Sequence, residues 1–375
     1  MSSGGIDQEQ LGTGFRGDCQ TTAMGIMPHT DIDRAIELSL SLDIPFWPQL
    51  PNVSFYEDMY AQSSQNFPGI SVDTENRRVV FNTARFEEEL ASYSQKLGDM
   101  DNFTLSGDYS AVYHRFLAKQ LNHYPAIRGQ LTGPVSFGFK IVDENGKPII
   151  YNEEVKSLLF DFIQRKVNVQ YQELRHRNEN AFVWVDEPGL GWVFSSLSGY
   201  NDIQALKDYR DFIKGLEGPR ALHLCANVNL PFLLEMGVSV LSFDAYQLGV
   251  MPREYARAVG GFIRKGGIMC WGIVPTDSTN LGRETSQSLA ILLSDYWLVV
   301  SHASGVAVNQ VAAQSLLAPA RCCLKNTGQV GAADESACSI TGRDLASTVE
   351  ESLVEKAFAY LQEMSQILRD RYDVK

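Results

Sequence analysis

A chain of 375 residues with 44% hydrophobic and 21% charged residues can bury a large core, and at about 150 residues per domain it holds two or three domains unless it is one large α/β barrel. Its net charge of −13 excludes a surface built for nucleic acid or anionic lipid, because both need clustered Lys and Arg. No apolar run approaches the roughly 20 residues that a membrane span needs, and the start, MSSGGIDQEQLGTG, lacks the basic and apolar regions of a signal peptide.

Residues 1–18 are therefore expected to be a flexible leader, and 19–375 a single catalytic domain. The six cysteines, in a large chain without export signals, read as thiols or ligands rather than disulfides, which predicts a cytoplasmic protein.

In chain order, Thr21–Pro28 predicts a short buried strand, and Asp31 caps the helix that follows. Ile44–Trp47 predicts the next strand, running into the stiff Pro48-Gln49-Leu50-Pro51. Residues 71–82 carry a hairpin signal with its turn at Thr74–Asn76. Helical spacing recurs at Arg85–Gln95 and Ser110–Leu121. Ala126–Leu131 is a predicted strand, and a second hairpin signal lies at Lys140–Tyr151. Helix Glu153–Arg177 precedes the apolar strand Ala181–Val185, which ends in Asp186-Glu187.

Helix Asp202–Leu216 leads to Arg220–Tyr246, read as a strand ending in His223-Leu224-Cys225, a short helix and a strand ending in Asp244. Then come helix Pro252–Lys265, strand Ile268–Trp271, helix Thr285–Ser301, strand Val311–Leu317 with Arg321-Cys322-Cys323 behind it, and a long helix from Thr341 to about Arg371. Alternating strands and helices mean parallel βαβ units. With about eight strands and no dinucleotide or Walker fingerprint, the expectation is α/β: a closed (β/α)8 TIM-type barrel with two inserted hairpins and a C-terminal helix.

In such barrels the reactive groups gather at the C-terminal strand ends. The unusual polar residues fall there: Gln49, Gln130, Asp186, Glu187, His223, Cys225, Asp244 and the Cys322-Cys323 pair. In an extended segment, i and i+2 share a face, so His223 and Cys225 can converge, with Asp244 at the matching end of the next strand. A nitrogen and sulfur pair with a nearby carboxylate and a further cysteine is how a protein holds Zn2+. Each residue also has an ordinary reading. H-x-C can be a buried histidine beside a small apolar cysteine, Asp186-Glu187 can cap a helix, and Gln49 and Gln130 can satisfy loop backbone. Cys270 reads as packing, Cys19 and Cys338 as incidental residues of polar segments, and His29, His114, His123, His176 and His302 as surface or capping histidines.

The segments TTAMGIMPHTDIDRAI, QLTGPVSFG, VWVDEPGL, LHLCAN, GGIMCWGIVPT and LLAPARCCLK, in that order, resemble the barrel superfamily of cobalamin-independent methionine synthase and uroporphyrinogen decarboxylase. The similarity is greatest to the catalytic C-terminal half of the methionine synthase. It implies zinc held by His223, Cys225 and Cys322, with Asp244 where the family has glutamate, and Asp186 holding a homocysteine amino group. The family's serine-bearing I-G-S segment reads Met24-Gly25-Ile26 here, its amine-binding glutamate falls near Gln49-Leu50, and its His-Ser falls at Pro275-Thr276.

The resemblance thus implies a zinc-dependent methyltransferase that moves a methyl group to a thiol, homocysteine giving methionine. The donor it implies is a methylcorrinoid protein rather than methylfolate. The alternatives are a methylcorrinoid:coenzyme M-type thiol methyltransferase, a metal-free enzyme resembling uroporphyrinogen decarboxylase, and a non-catalytic corrinoid-binding partner. The decarboxylase needs basic side chains early in the barrel, where this chain has TTAMGIMP.

Overall fold

The computed structural model describes residues 12–195, 198–225, 229–323 and 340–374, with side chains of the last stretch described from 348. Residues 1–11 of the expected leader, Ala226-Asn227, Leu324-Lys325 and Cys338 lie outside the described residues.

The strands are β1 (Gln20–Thr21), β2 (Ile70–Asp73), β3 (Arg78–Phe81), β4 (Ile127–Thr132), β5 (Ala181–Asp186), β6 (Arg220–Leu224), β7 (Val240–Asp244), β8 (Ile268–Val274) and β9 (Ser315–Pro319). Seven of them form one curled sheet in the order β1-β9-β8-β7-β6-β5-β4, with every pairing parallel. Continuous apolar strands such as IMCWGIV, buried along their whole length, suit a parallel sheet covered on both faces. The outer face packs against helices that include Glu153–Arg175, Asp202–Lys214, Arg253–Arg264, Ser286–Ser304 and Ile340–Tyr372. Side-chain caps start them: Asn152 accepts from Glu154 and Val155 N, Asn201 from Gln204 N and Thr285 from Ser288 N.

The concave face carries its own smaller core, including Phe182, Trp184, Ala221, Val240, Ile268, Cys270, Leu316 and Ala318. These positions alternate with the outer set along each strand, as the pleat demands. Among the described residues no helix is long and apolar enough to cross a membrane.

The expected closed eight-stranded barrel is not what the named strands form. The sheet ends at β1 on one side and β4 on the other. The segment predicted as the missing strand, Ile44–Trp47, lies in that gap and makes only single parallel bridges, Phe46 to Arg128 and Ile26 to Gln49. Pro45 and Pro48 explain this, since each removes a ladder donor. Individual bonds still span the gap: Ile44 N donates to Thr21 O, Arg128 N to Pro45 O, Gln49 N to Gly25 O and Met27 N to Gln49 O.

β1 is likewise shorter than Thr21–Pro28; on its gap side the Asp43 carboxylate takes both the Thr21 N–H and hydroxyl. The hairpin expected at 71–82 forms as β2 and β3. The one expected at 140–151 is reduced to a single bridge, Val142 to Pro148. Pro148 cannot donate, and the Asp143 carboxylate captures the N–H groups of Asn145 and Lys147. Residues 311–313 belong to helix Val308–Ala313, so β9 starts at Ser315. Two further expectations are corrected. Cys19 is fully buried, its thiol facing Ala312 O at 3.6 Å, and His29 is 1% exposed, with no hydrogen-bond partner at either ring nitrogen among the described residues.

Candidate active site at the strand ends

The concave face supplies the polar rim by the same alternation that supplies its core. Along β5, Trp184 faces inward, and so does Asp186; along β6, Ala221 and then His223; along β7, Val240, Ser242 and Asp244. Cys225 continues the inward series of β6, and the partly buried Cys322, past the end of β9, packs against the same interior cluster.

His223 is held on two sides. Its Nδ1 lies 2.9 Å from the Ser242 hydroxyl on the neighbouring strand, and its ring stacks on Trp184 at 5.6 Å and 23°. Burial, and then the Arg128 guanidinium, push the imidazole down to about 3, so it is neutral at any ordinary pH. With Nδ1 engaged, Nε2 is the nitrogen open to a ligand.

Cys225 is partly buried. Burial pushes its thiol up to about 12, with the charges of Cys322 and Asp186 raising it further and Arg321 opposing. Without a cation beside it, Cys225 stays protonated at neutral pH. Asp244 is buried, and both its oxygens are engaged: Oδ2 accepts from Arg321 Nε at 2.9 Å and Oδ1 from Gln247 N at 3.2 Å. Burial raises its carboxyl despite the arginine. Among the described residues no three His, Cys, Asp or Glu side chains are grouped as a ligand set. The donor types suit zinc nonetheless: a neutral imidazole with a free nitrogen, and two thiols coupled through their charges.

Asp186, half-buried, ends β5 in register with His223. Burial lifts its carboxyl to about 7, with Arg128 opposing and Glu187 adding to the rise, and no hydrogen-bond donor among the described residues meets it. Glu187 is different. It is fully buried, and it accepts from Val135 N at 3.0 Å, Ser136 N at 2.7 Å and Ser136 Oγ at 2.5 Å. It thereby fastens the start of helix Pro134–Lys140, and burial still lifts it to about 7. Gln130 is also committed to the protein, donating to Trp47 O and accepting from Arg128. Gln49 donates to Gln62 at 2.8 Å, while its Oε1 is buried with no hydrogen-bond partner among the described residues.

Three contributors were not singled out from sequence. Arg128 is fully buried on the concave face, its guanidinium 3.9 Å from the Trp184 ring centroid and 4.8 Å from that of Phe46. A charged residue inside an otherwise apolar strand, in step with Gln130, was a readable signal. Ser242 and Arg321 had none, because their importance comes from strand register and from a loop. Beside Glu187 a cavity of about 470 Å³ opens, lined by Tyr60, Ser136, Phe139, Tyr151 and Trp192 among others.

No protein-family model and no curated protein matches the sequence. Among solved structures, the chain is similar to a methyltransferase from Methanosarcina mazei, at 15% identity over 93% of this chain and 94% of that one, with a TM-score of 0.50. It is also similar to a B12-independent methionine synthase from Shewanella sp. W3-18-1, solved in complex with selenomethionine, at 13% identity and a TM-score of 0.41. That match covers 66% of this chain and 63% of the synthase, so the chain spans less than two thirds of that protein's length. The α/β architecture built on a curled parallel sheet is thus one that the chain shares with the Methanosarcina methyltransferase.

Proposed function

We propose that the chain is a methyltransferase acting on a thiol, with zinc held by His223, Cys225 and Cys322 and with Asp244 as a further donor once Arg321 releases it. What supports this reading is that a neutral His223, stacked on Trp184, stands two residues before Cys225 at the end of β6, while Cys322 packs against the interior cluster to which Trp184 belongs. Bound zinc would lower the pKa of an incoming thiol, so that a sulfur nucleophile exists at neutral pH.

The protein's own groups do the rest. Ser242 and Trp184 fix the imidazole, so Nε2 points one way. Asp186, which meets no hydrogen-bond donor among the described residues, suits an ammonium, which favours homocysteine over a sulfonate thiol such as coenzyme M. Glu187 holds the helix start beside it in place. A methylcorrinoid protein is the donor in this reading: the sulfur–carbon bond would form as the cobalt–carbon bond breaks, with that bond's electron pair left on the corrinoid cobalt. The test is turnover of methylcobalamin with L-homocysteine, followed as methionine formed and demethylated cobalamin released. Turnover lost in Cys225→Ser supports the reading, and absence of thiol methylation with either homocysteine or coenzyme M removes it.

A further inference from the structure

Helix Ser286–Ser304 lies in the outer layer, yet its outward face is not the polar one that such a position calls for. It buries Leu289, Leu293, Trp297 and Val300, while Ile291, Leu298 and Val299 stand out of the surface at 48%, 41% and 37% exposure. The helix beside it, Arg253–Arg264, joined to it where Arg264 Nη1 donates to Ser304 O, shows the ordinary pattern, with Arg253, Glu254 and Arg257 outermost. Along the 19 residues of Ser286–Ser304, Asp295 stands alone as an Asp, Glu, Lys or Arg. A helix apolar on both sides is one that a further surface covers.

The exposed stripe is complementary to itself. Ile291, Asp295, Leu298 and His302 follow at steps of four, three and four residues, so they share one face, and Asp295 and His302 are both exposed. Asp295 and His302 lie equally far, about 5 Å at roughly 1.5 Å per residue, on either side of the point between Leu298 and Val299. When a second copy of the helix lies antiparallel across the first, with a two-fold axis through that point, Leu298 meets Val299 of the other copy. Asp295 then meets His302 of the other copy, once at each end of the apolar centre, and an imidazole N–H can donate to the carboxylate. An axis through Asp295 itself would instead set like charges together. Such a contact is isologous: the same patch serves both copies.

We propose that this face joins two copies of the chain in a two-fold dimer, through antiparallel helices Ser286–Ser304. The partner that the pattern fits is a second copy because the stripe carries both halves of each charged contact, in the register that a two-fold axis requires. The proposal uses none of the strand-end residues and stands apart from the thiol-methyltransferase reading.

The test is sedimentation equilibrium of the full chain from micromolar to tenth-millimolar concentration, where it should show twice the chain mass. Leu298→Glu should give the mass of one chain with unchanged circular dichroism, since the position is open in the single chain. Asp295→Lys alone, and His302→Glu alone, should each weaken association at least about tenfold, because two repulsive contacts replace two attractive ones. The double variant should associate again. So should an equimolar mixture of the two single variants, in which each chain carries the charge that the other needs. Positions 295 and 302 are two turns apart on one helix, so this recovery reports a contact between chains, and folding loss cannot mimic it. A single-chain mass over the whole range overturns the proposal, as does a dimer that persists in Leu298→Glu. No recovery in either the double variant or the mixture overturns it as well.

Discussion

Arg321 Nε lies 2.9 Å from Asp244 Oδ2, so the residue beside Cys322 is tied to the end of β7. The guanidinium therefore competes with any cation for that carboxylate. Arg321 is 47% exposed but its Asp244 partner only 4%, so removing the arginine leaves a buried carboxylate without its charge partner. Arg321→Ala should lower the urea midpoint of the metal-free chain yet tighten zinc binding in a chelator competition. Unchanged or weaker binding would show that Asp244 is not a zinc donor.

Native thiol reactivity should divide the described cysteines. Cys225 and Cys322 are partly exposed, whereas Cys19, Cys270 and Cys323 are buried. Burial pushes Cys19 and Cys270 up to about 12, as it does Cys225, so access to the reagent rather than acidity divides them. Metal-free protein labelled with an alkylating reagent and digested should carry label at Cys225 and Cys322, and at the other three only after denaturation. Native labelling of Cys19 or Cys270 would contradict the packing described.

The concave-face pattern was the legible part. His223 and Cys225, two apart at the end of an apolar run, do lie on the inward series with Asp186 and Asp244, because strand alternation follows from sequence alone. Strand existence was equally readable for β4 to β8. What sequence could not show was side-chain commitment. Nothing in VDEP says that Glu187 meets Ser136 while Asp186 stays without a donor, and nothing in PARCC says that Arg321 reaches Asp244. Those contacts join residues distant in the chain. The missing eighth strand had a local cause that was visible, Pro45 and Pro48, but their effect on pairing depended on which neighbours needed donors.

Gly133 sits against the buried carboxylate: a Cβ there would lie 2.2 Å from Glu187 Oε1. Because three donors fix that carboxylate, it cannot yield cheaply. Gly133→Ala should destabilise the fold by about 1–3 kcal/mol, read as a lower urea midpoint at unchanged slope. A midpoint equal to that of the unaltered chain would show that Glu187 is not held as described.

Stability should respond to pH in two opposite limbs. Burial lifts Asp186 and Glu187 from 3.8 and 4.5 to about 7, so between those values the folded chain binds more protons than the unfolded one. Their contribution is fully present below their ordinary values and is lost as pH rises through about 7. Burial lowers Lys166 from 10.5 to about 7, so from there to 10.5 the unfolded chain binds more protons and stability rises with pH. Urea unfolding across pH should show Glu187→Gln weakening the falling limb and Lys166→Met the rising one. Identical profiles for the variants and the unaltered chain would refute the assignment.

The central claim is a zinc site at the ends of β6 and β9, and its most direct test is elemental analysis of the purified chain beside Cys225→Ser and Cys322→Ser. The account predicts about one zinc per unaltered chain and its loss, with thiol methylation, in both variants. Zinc absent from the unaltered chain after growth and purification with added zinc, or retained in full by both variants, would contradict it.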